Sequence, residues 1–158
     1  MFKYCFQIIL DFISEFREFD ELEEKIGLEI YHTVPHTLGP QRKNKPITRV
    51  SFRSKEYHSS IQVYVGHELE KYLRIVAPKF INNLDYLKAH DCKITTQILV
   101  DDELIDDRFS LDVNEKFMGV NITNKAIKLL AKMHTCLEIE SYLSHFTPVE
   151  EKHISRKD

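Results

Sequence analysis

KYCFQIILDF, residues 3–12, decides how the rest of the chain is read. Its even positions Tyr4, Phe6, Ile8, Leu10 and Phe12 are all apolar, while Lys3, Cys5, Gln7 and Asp11 fall on the other parity. Successive side chains of an extended chain point to opposite faces, so period two predicts a strand with one face in the core. A helix is also conceivable, because Phe2, Phe6, Ile9, Ile13 and Phe16 recur at near-helical spacing. Five consecutive alternations with aromatic and β-branched side chains favour the strand.

Outward from it, Asp20 and Glu23 have the spacing of a capping box, and Leu22 with Ile26 gives an apolar stripe that Gly27 ends, which predicts a short helix. Glu29 to Val34 reads as a second strand, followed by a long irregular connection marked by Pro35, Gly39, Pro40, Asn44 and Pro46. Val50 and Phe52 alternate with Arg49, Ser51 and Arg53, a third strand over Thr48 to Ser54 with one wet face. From Glu68 to Ala89 the residues Leu69, Tyr72, Leu73, Val76, Phe80, Leu84 and Leu87 keep helical spacing. Pro78 inside that run predicts a kink or two abutting helices, because proline removes a donor and clashes with the preceding turn.

Ile94 to Val100 is β-branched and reads as a strand, Asp101 to Asp107 as a turn, and Phe109, Leu111 and Val113 resume period two. Gly119 to Ile122 follows as a strand, then Thr123 or Asn124 as a cap. Ala126, Ile127, Leu129, Leu130 and Met133 form a helix face, and Cys136 to Leu143 a closing strand. Beyond Pro148 the chain is polar. The expectation is an α+β fold over residues 1–147, a single mostly antiparallel sheet with helices packed on one face, of ferredoxin-like form, with a polar tail at 148–158.

Composition supports one folded unit. At 158 residues, with 42% apolar and 30% charged side chains, the chain is long enough to bury roughly two-thirds of its unfolded surface around one core. A net charge of −3, from 22 basic and 25 acidic residues, offers no general field for a nucleic-acid backbone or an anionic membrane. No run approaches the roughly 20 apolar residues that span a bilayer. Lys3, Gln7 and Asp11 interrupt the N-terminal apolar stretch, so it does not read as a secretion signal and a cytoplasmic location is expected. Cys5, Cys92 and Cys136 are odd in number and widely spaced, which reads as reduced, mostly buried thiols.

Chemistry-bearing motifs are few. Four unclustered glycines make no phosphate loop, and the helix that begins His67-Glu68 has Lys71 where a zinc-protease motif needs its second histidine. His32 and His36 flank Pro35 and read as loop histidines; His134 reads as a helix-end residue beside a core Cys136. No cofactor, metal site or catalytic residue is expected. Asp101, Asp102, Glu103, Asp106 and Asp107 lack the alternating ligands, central glycine and distal glutamate of a calcium loop, because Leu104 and Ile105 stand in the middle. They are either a solvated turn or an acidic protein-binding surface.

A second acidic region, Asp11 to Glu29, and an acid-free basic stretch, Arg42 to Lys55, show charge segregated along the chain. Complementary charge speeds encounter and enforces partner choice, so a basic protein partner is expected. Phosphate contact by the basic stretch ranks lower, without an aromatic platform beside it and with a negative net charge.

The segments EFDELEEKIGLEI, VSFRS, LRIVAPKFINNLDYLK and GVNITNKAIKLLAKMHTCLEIESY, in this order, resemble the bacterial family known as domain of unknown function 4279. The resemblance runs from about Phe2 to Tyr142. Members usually have a tryptophan at the start of the third strand, where Val50 or Phe52 stands here. The family has no established activity. Its small members look like immunity proteins, which occlude a cognate toxin domain. The resemblance therefore implies an immunity protein; the lack of a catalytic motif makes the expectation non-enzymatic, and the alternative is a small-ligand-sensing or regulatory domain of ferredoxin-like form, with a metabolite received on the sheet or in a helix–strand cleft.

Overall fold

The computed structural model describes residues 2–13, 15–37, 47–59, 63–102, 118–119 and 121–141. The expected segment 109–113 and the boundary at 147/148 lie outside them. Along the chain run β1 (Phe2–Phe12), α1 (Phe19–Ile26), β2 (His32–Thr37), β3 (Ile47–Arg53), β4 (Tyr57–Ser59) and β5 (Val63–Tyr64). Then come α2 (Gly66–Ile81), α3 (Leu84–Ala89), β6 (Cys92–Asp102), β7 (Met118–Gly119), α4 (Asn124–Lys132) and β8 (Cys136–Ser141).

The fold is mixed α+β, built on one open sheet of six strands in the order β2-β3-β1-β6-β8, with β4 also paired to β1. β1 is antiparallel to β3, β4 and β6, and β2 to β3, whereas β8 lies parallel to β6. Parallel neighbours need a crossover rather than a hairpin, and α4 belongs to that crossover. A short parallel pair, β5 with β7, stands apart from the main sheet, where the sequence reading expected a single sheet and a longer strand through Ile122.

The strand reading of β1 holds over its whole length: Tyr4, Phe6, Ile8, Leu10 and Phe12 join one buried cluster. The register puts Val50 opposite Leu10, Phe52 opposite Ile8, and Ile94, Ile98 and Val100 opposite Leu10, Phe6 and Tyr4. Leu22 and Ile26 of α1, Leu69, Leu73, Val76 and Phe80 of α2, Leu87 of α3 and Ala126 and Leu130 of α4 belong to the same cluster. All four helices thus bury their apolar stripes against one face of the sheet. No described helix is long and apolar enough to cross a membrane.

Opposite β1, the chain from β3 to β4 has three residues, Ser54, Lys55 and Glu56, where β1 has two, Cys5 and Phe6. The extra residue is a bulge, and Ser54 holds it by donating its N–H to the Phe6 carbonyl at 2.8 Å and accepting the Phe6 N–H on Oγ at 2.9 Å. The bulge shifts the parity, so Tyr57 comes onto the core face and stacks on Tyr4 at 5.2 Å between centroids.

Several local expectations are corrected. Glu18, not Asp20, precedes the first turn of α1, and its side chain makes no capping bond. The carboxylate of Glu23 reaches forward instead, accepting the Ile30 N–H at 2.8 Å and fixing the exit from the helix. Gly27 ends α1 at φ 72°, as its position predicts. β2 starts later than expected and runs through Pro35, so His32 and His36 are strand residues rather than loop residues; a register shift between Val34 and Thr37 absorbs the proline. Pro78 lies in the last turn of α2 and the break comes at Asn82 and Asn83. Asn83 ties the junction, donating from Nδ2 to the carbonyls of Lys79 at 2.7 Å and Lys25 at 3.0 Å. Thr123 caps α4, accepting the Ala126 N–H on Oγ1 at 3.2 Å, but Ile127, expected in the core, is 50% exposed.

Gly66 opens α2 where the backbone of Asn121 passes directly over it, and a Cβ there would collide with the Asn121 carbonyl. Only a residue without a side chain lets these two stretches touch. Gly66→Ala should therefore destabilise by about 1–3 kcal/mol, the usual cost of overpacking, read from the urea midpoint at unchanged slope.

Candidate functional site

The second face of the sheet receives no buried stripe from the described helices, yet its centre is out of water. Cys5 and Leu99 have no exposed surface, and Gln7, Ile9, Ser51, Thr95 and Gln97 are buried. Burying polar side chains costs free energy unless each finds a partner. On this face the register lines up matching rows: Arg49 and Lys93 flank Asp11, Ser51 and Thr95 flank Ile9, Arg53 and Gln97 flank Gln7. β8 extends the rows with Cys136 beside Thr95, Glu138 beside Gln97 and Glu140 beside Leu99.

The Gln7 row is a continuous chain of hydrogen bonds over four strands. Arg53 donates from Nε and Nη2 to Gln7 Oε1 at 3.0 and 2.8 Å. Gln7 Nε2 donates to Gln97 Oε1 at 3.1 Å, and Gln97 Nε2 to Glu138 Oε2 at 3.0 Å. A guanidinium only donates and an ionised carboxylate only accepts, so the two ends force both amides into one orientation. The chain therefore has a direction, from the cation on β3 to the anion on β8. Tyr31 lies under the Arg53 guanidinium, 4.0 Å from ring centroid to Cζ.

In the Asp11 row, Arg49 makes a two-pronged bond, Nε to Oδ1 at 2.8 Å and Nη2 to Oδ2 at 3.0 Å. The bond to Asp11 raises the Arg49 pKa, burial opposes that, and the carboxylates of Glu138 and Glu140 add to the rise. Asp11 and Arg49 belong to regions that the sequence showed as segregated by sign. Strand pairing brings them together.

Asp101 and Asp102, expected in a turn, are the last residues of β6, paired in register with Lys3 and Phe2. β6 continues past Val100 because β1 extends equally far beside it. Glu103, Asp106 and Asp107 lie outside the described residues. By register Asp101 takes a position on the same face of the sheet as Glu138 and Glu140. Gln7, Gln97, Glu138 and Glu140 were not singled out from sequence; the available signal was glutamine on the non-core parity of two paired strands.

The cysteines also differ from expectation: Cys5 is buried, Cys92 intermediate and Cys136 exposed, since Cys136 starts an edge strand. Burial pushes the Cys5 thiol up to about 11, Arg53 pulling it down and Glu56 pushing it further up. Burial likewise raises Cys92, with Asp11 adding to it. Neither thiol is poised as a thiolate nucleophile at neutral pH. Among the described residues no group of three or more His, Cys, Asp and Glu is placed to hold a metal ion.

These features define a mixed α+β protein whose sheet has one apolar, helix-covered face and one face of paired polar and charged rows. No family model, curated protein or solved structure matches the chain.

Cys5 yields a pH prediction. Its folded pKa lies above the ordinary value of 9.0, so its share of stability is complete below that value and is lost as pH rises toward about 11. The shift corresponds to roughly 3 kcal/mol. Denaturant titrations from pH 8 to 11 should show this decline, and Cys5→Ser should make it shallower, leaving the share that the raised Cys92 contributes. Native alkylation should label Cys136 first and Cys5 only on unfolding.

Proposed function

We propose that this chain is a binding protein rather than a catalyst, an immunity protein that captures a basic toxin domain, such as a nuclease, on its acidic surface. The observation that supports this reading is the corner where β6 and β8 end. Glu138 and Glu140 share one face there, the register gives Asp101 a position on that face, and Asp101 is the first residue of the acidic run Asp101, Asp102, Glu103, Asp106 and Asp107 in the sequence. Two carboxylates on one face of β8 give a local field that a chain of net charge −3 lacks as a whole. The resemblance to the domain of unknown function 4279 family, with its immunity-like small members, points the same way. Nucleic acid and membrane are not partners in this reading, no cofactor is needed, and the site of action is the cytoplasm.

The alternative of a sensing domain would need room between sheet and helices. Phe6, Phe12, Phe52 and Phe80 are fully buried in that space, so no specific observation favours it.

Co-expression with the toxin domain encoded beside it tests the proposal. Changing Asp101, Asp102, Glu103, Asp106 and Asp107 to Asn or Gln should weaken affinity at least about tenfold and remove protection, since close interfacial charge pairs couple by about 1.5 kcal/mol or more. Unchanged protection by a folded variant would exclude this segment as the contact.

A further inference from the structure

We infer that the outward face of α4 is a docking surface, which takes up an acidic segment of a protein partner along a stripe of three lysines. This surface is separate from the acidic run and goes beyond the reading of the chain as an immunity protein. α4 packs beside α2 and turns Ala126 and Leu130 into the core, with Met133 just after it. Lys128 and Lys132 follow Lys125 at three and seven residues, so the lysines fall on one outward stripe, and all three are exposed. The half-exposed Ile127 and the exposed Ala131 run beside them. α4 contains no acidic residue, and among the described residues none of its lysines has an ion pair or lies over an aromatic ring. By contrast Lys71 bonds Glu68 at 3.3 Å, Arg74 lies 3.6 Å from Glu70, and Lys25 sits over the Tyr86 ring at 4.9 Å.

The arrangement works against the helix itself. Like charges at i,i+3 and i,i+4 repel, and Lys125 stands in the first turn, where the helix dipole disfavours a cation. Local conflicts of this kind mark places where a sequence serves something other than its own stability. Carboxylates arriving from outside relieve it. An acidic helical segment with glutamate or aspartate at the same spacing sets one carboxylate against each lysine, and an apolar residue beside them covers Ile127. A bilayer would need more than one half-exposed isoleucine to insert. A nucleic acid would gain three phosphate contacts and no aromatic ring to stack on, since α4 has none. The acidic protein segment is the occupant that uses both the lysine spacing and the isoleucine.

The test uses the whole chain, isotopically labelled, with two end-capped helical peptides as probes. They are identical except that one has glutamates at the spacing of the three lysines and the other has lysines there. The glutamate peptide should shift the amide signals of Asn124 to Lys132 and bind at least about tenfold more tightly than the lysine peptide, since opposite-charge pairs replace like-charge ones. That preference should shrink in high salt. Changing Lys125, Lys128 and Lys132 together to Gln should cut it below about twofold without lowering the urea midpoint, while changing all three to Arg should keep it. Equal binding of both peptides overturns the proposal, as does binding that leaves α4 unshifted, or a preference that survives the change to Gln. Tighter binding of a single-stranded oligonucleotide or of phosphatidylserine vesicles through the same lysines overturns it too, as do α4 shifts that grow with protein concentration alone, which mark a second copy. None of these results bears on the acidic surface, which co-expression tests separately.

Discussion

Every layer of this fold depends on β1 being buried on both sides. It has partners along both edges for nearly its full length, β3 and β4 on one side and β6 on the other. Its even residues take the helices' apolar stripes, which satisfies the hydrophobic requirement on one face. Its odd residues include Gln7 and Asp11, which cannot be left dry and unpaired. The neighbouring strands are therefore committed at matching positions: Arg49 for Asp11, Arg53 and Gln97 for Gln7.

That commitment travels outward. Once Arg53 donates to Gln7, only one amide orientation remains for Gln7, then for Gln97, and the chain can end only on an acceptor. Glu138 of β8 is that acceptor. The outermost strand is thus tied to the third strand away by side chains as well as by backbone pairing, and its acidic side chains are held on the face that carries Asp101. A bulge at Ser54 serves the opposite face, turning Tyr57 inward onto Tyr4 and Phe6 without disturbing the polar rows.

The core was legible in the sequence because period two in β1 and β3 and helical spacing in α2 and α4 are each local patterns. Gly27 and Thr123 were legible for the same reason, since a left-handed stop and a hydroxyl cap act within a turn. Glu23 misled, because its carboxylate bonds Ile30 after the helix rather than the helix start before it. Pro35 misled as a break, since an edge strand tolerates a missing donor at a register shift; the two abutting helices expected around Pro78 are present as α2 and α3, but the break falls at Asn82 and Asn83 rather than at the proline. The polar rows were not legible, because Gln7 and Gln97 lie far apart in sequence and only strand order makes them neighbours. Charge segregation along the chain likewise says nothing about Asp11 meeting Arg49.

A double-mutant cycle on Gln7 and Gln97 tests most directly whether the directed chain of hydrogen bonds holds the polar face together. Gln7→Leu or Gln97→Leu alone leaves buried partners unsatisfied, and each should cost about 1–3 kcal/mol by urea unfolding. Together they set two leucines beside Cys5 and Leu99 and remove both buried amides at once, so the double variant should lose at least about 1 kcal/mol less than the sum. Additivity within about 0.5 kcal/mol would contradict a continuous chain across the four strands.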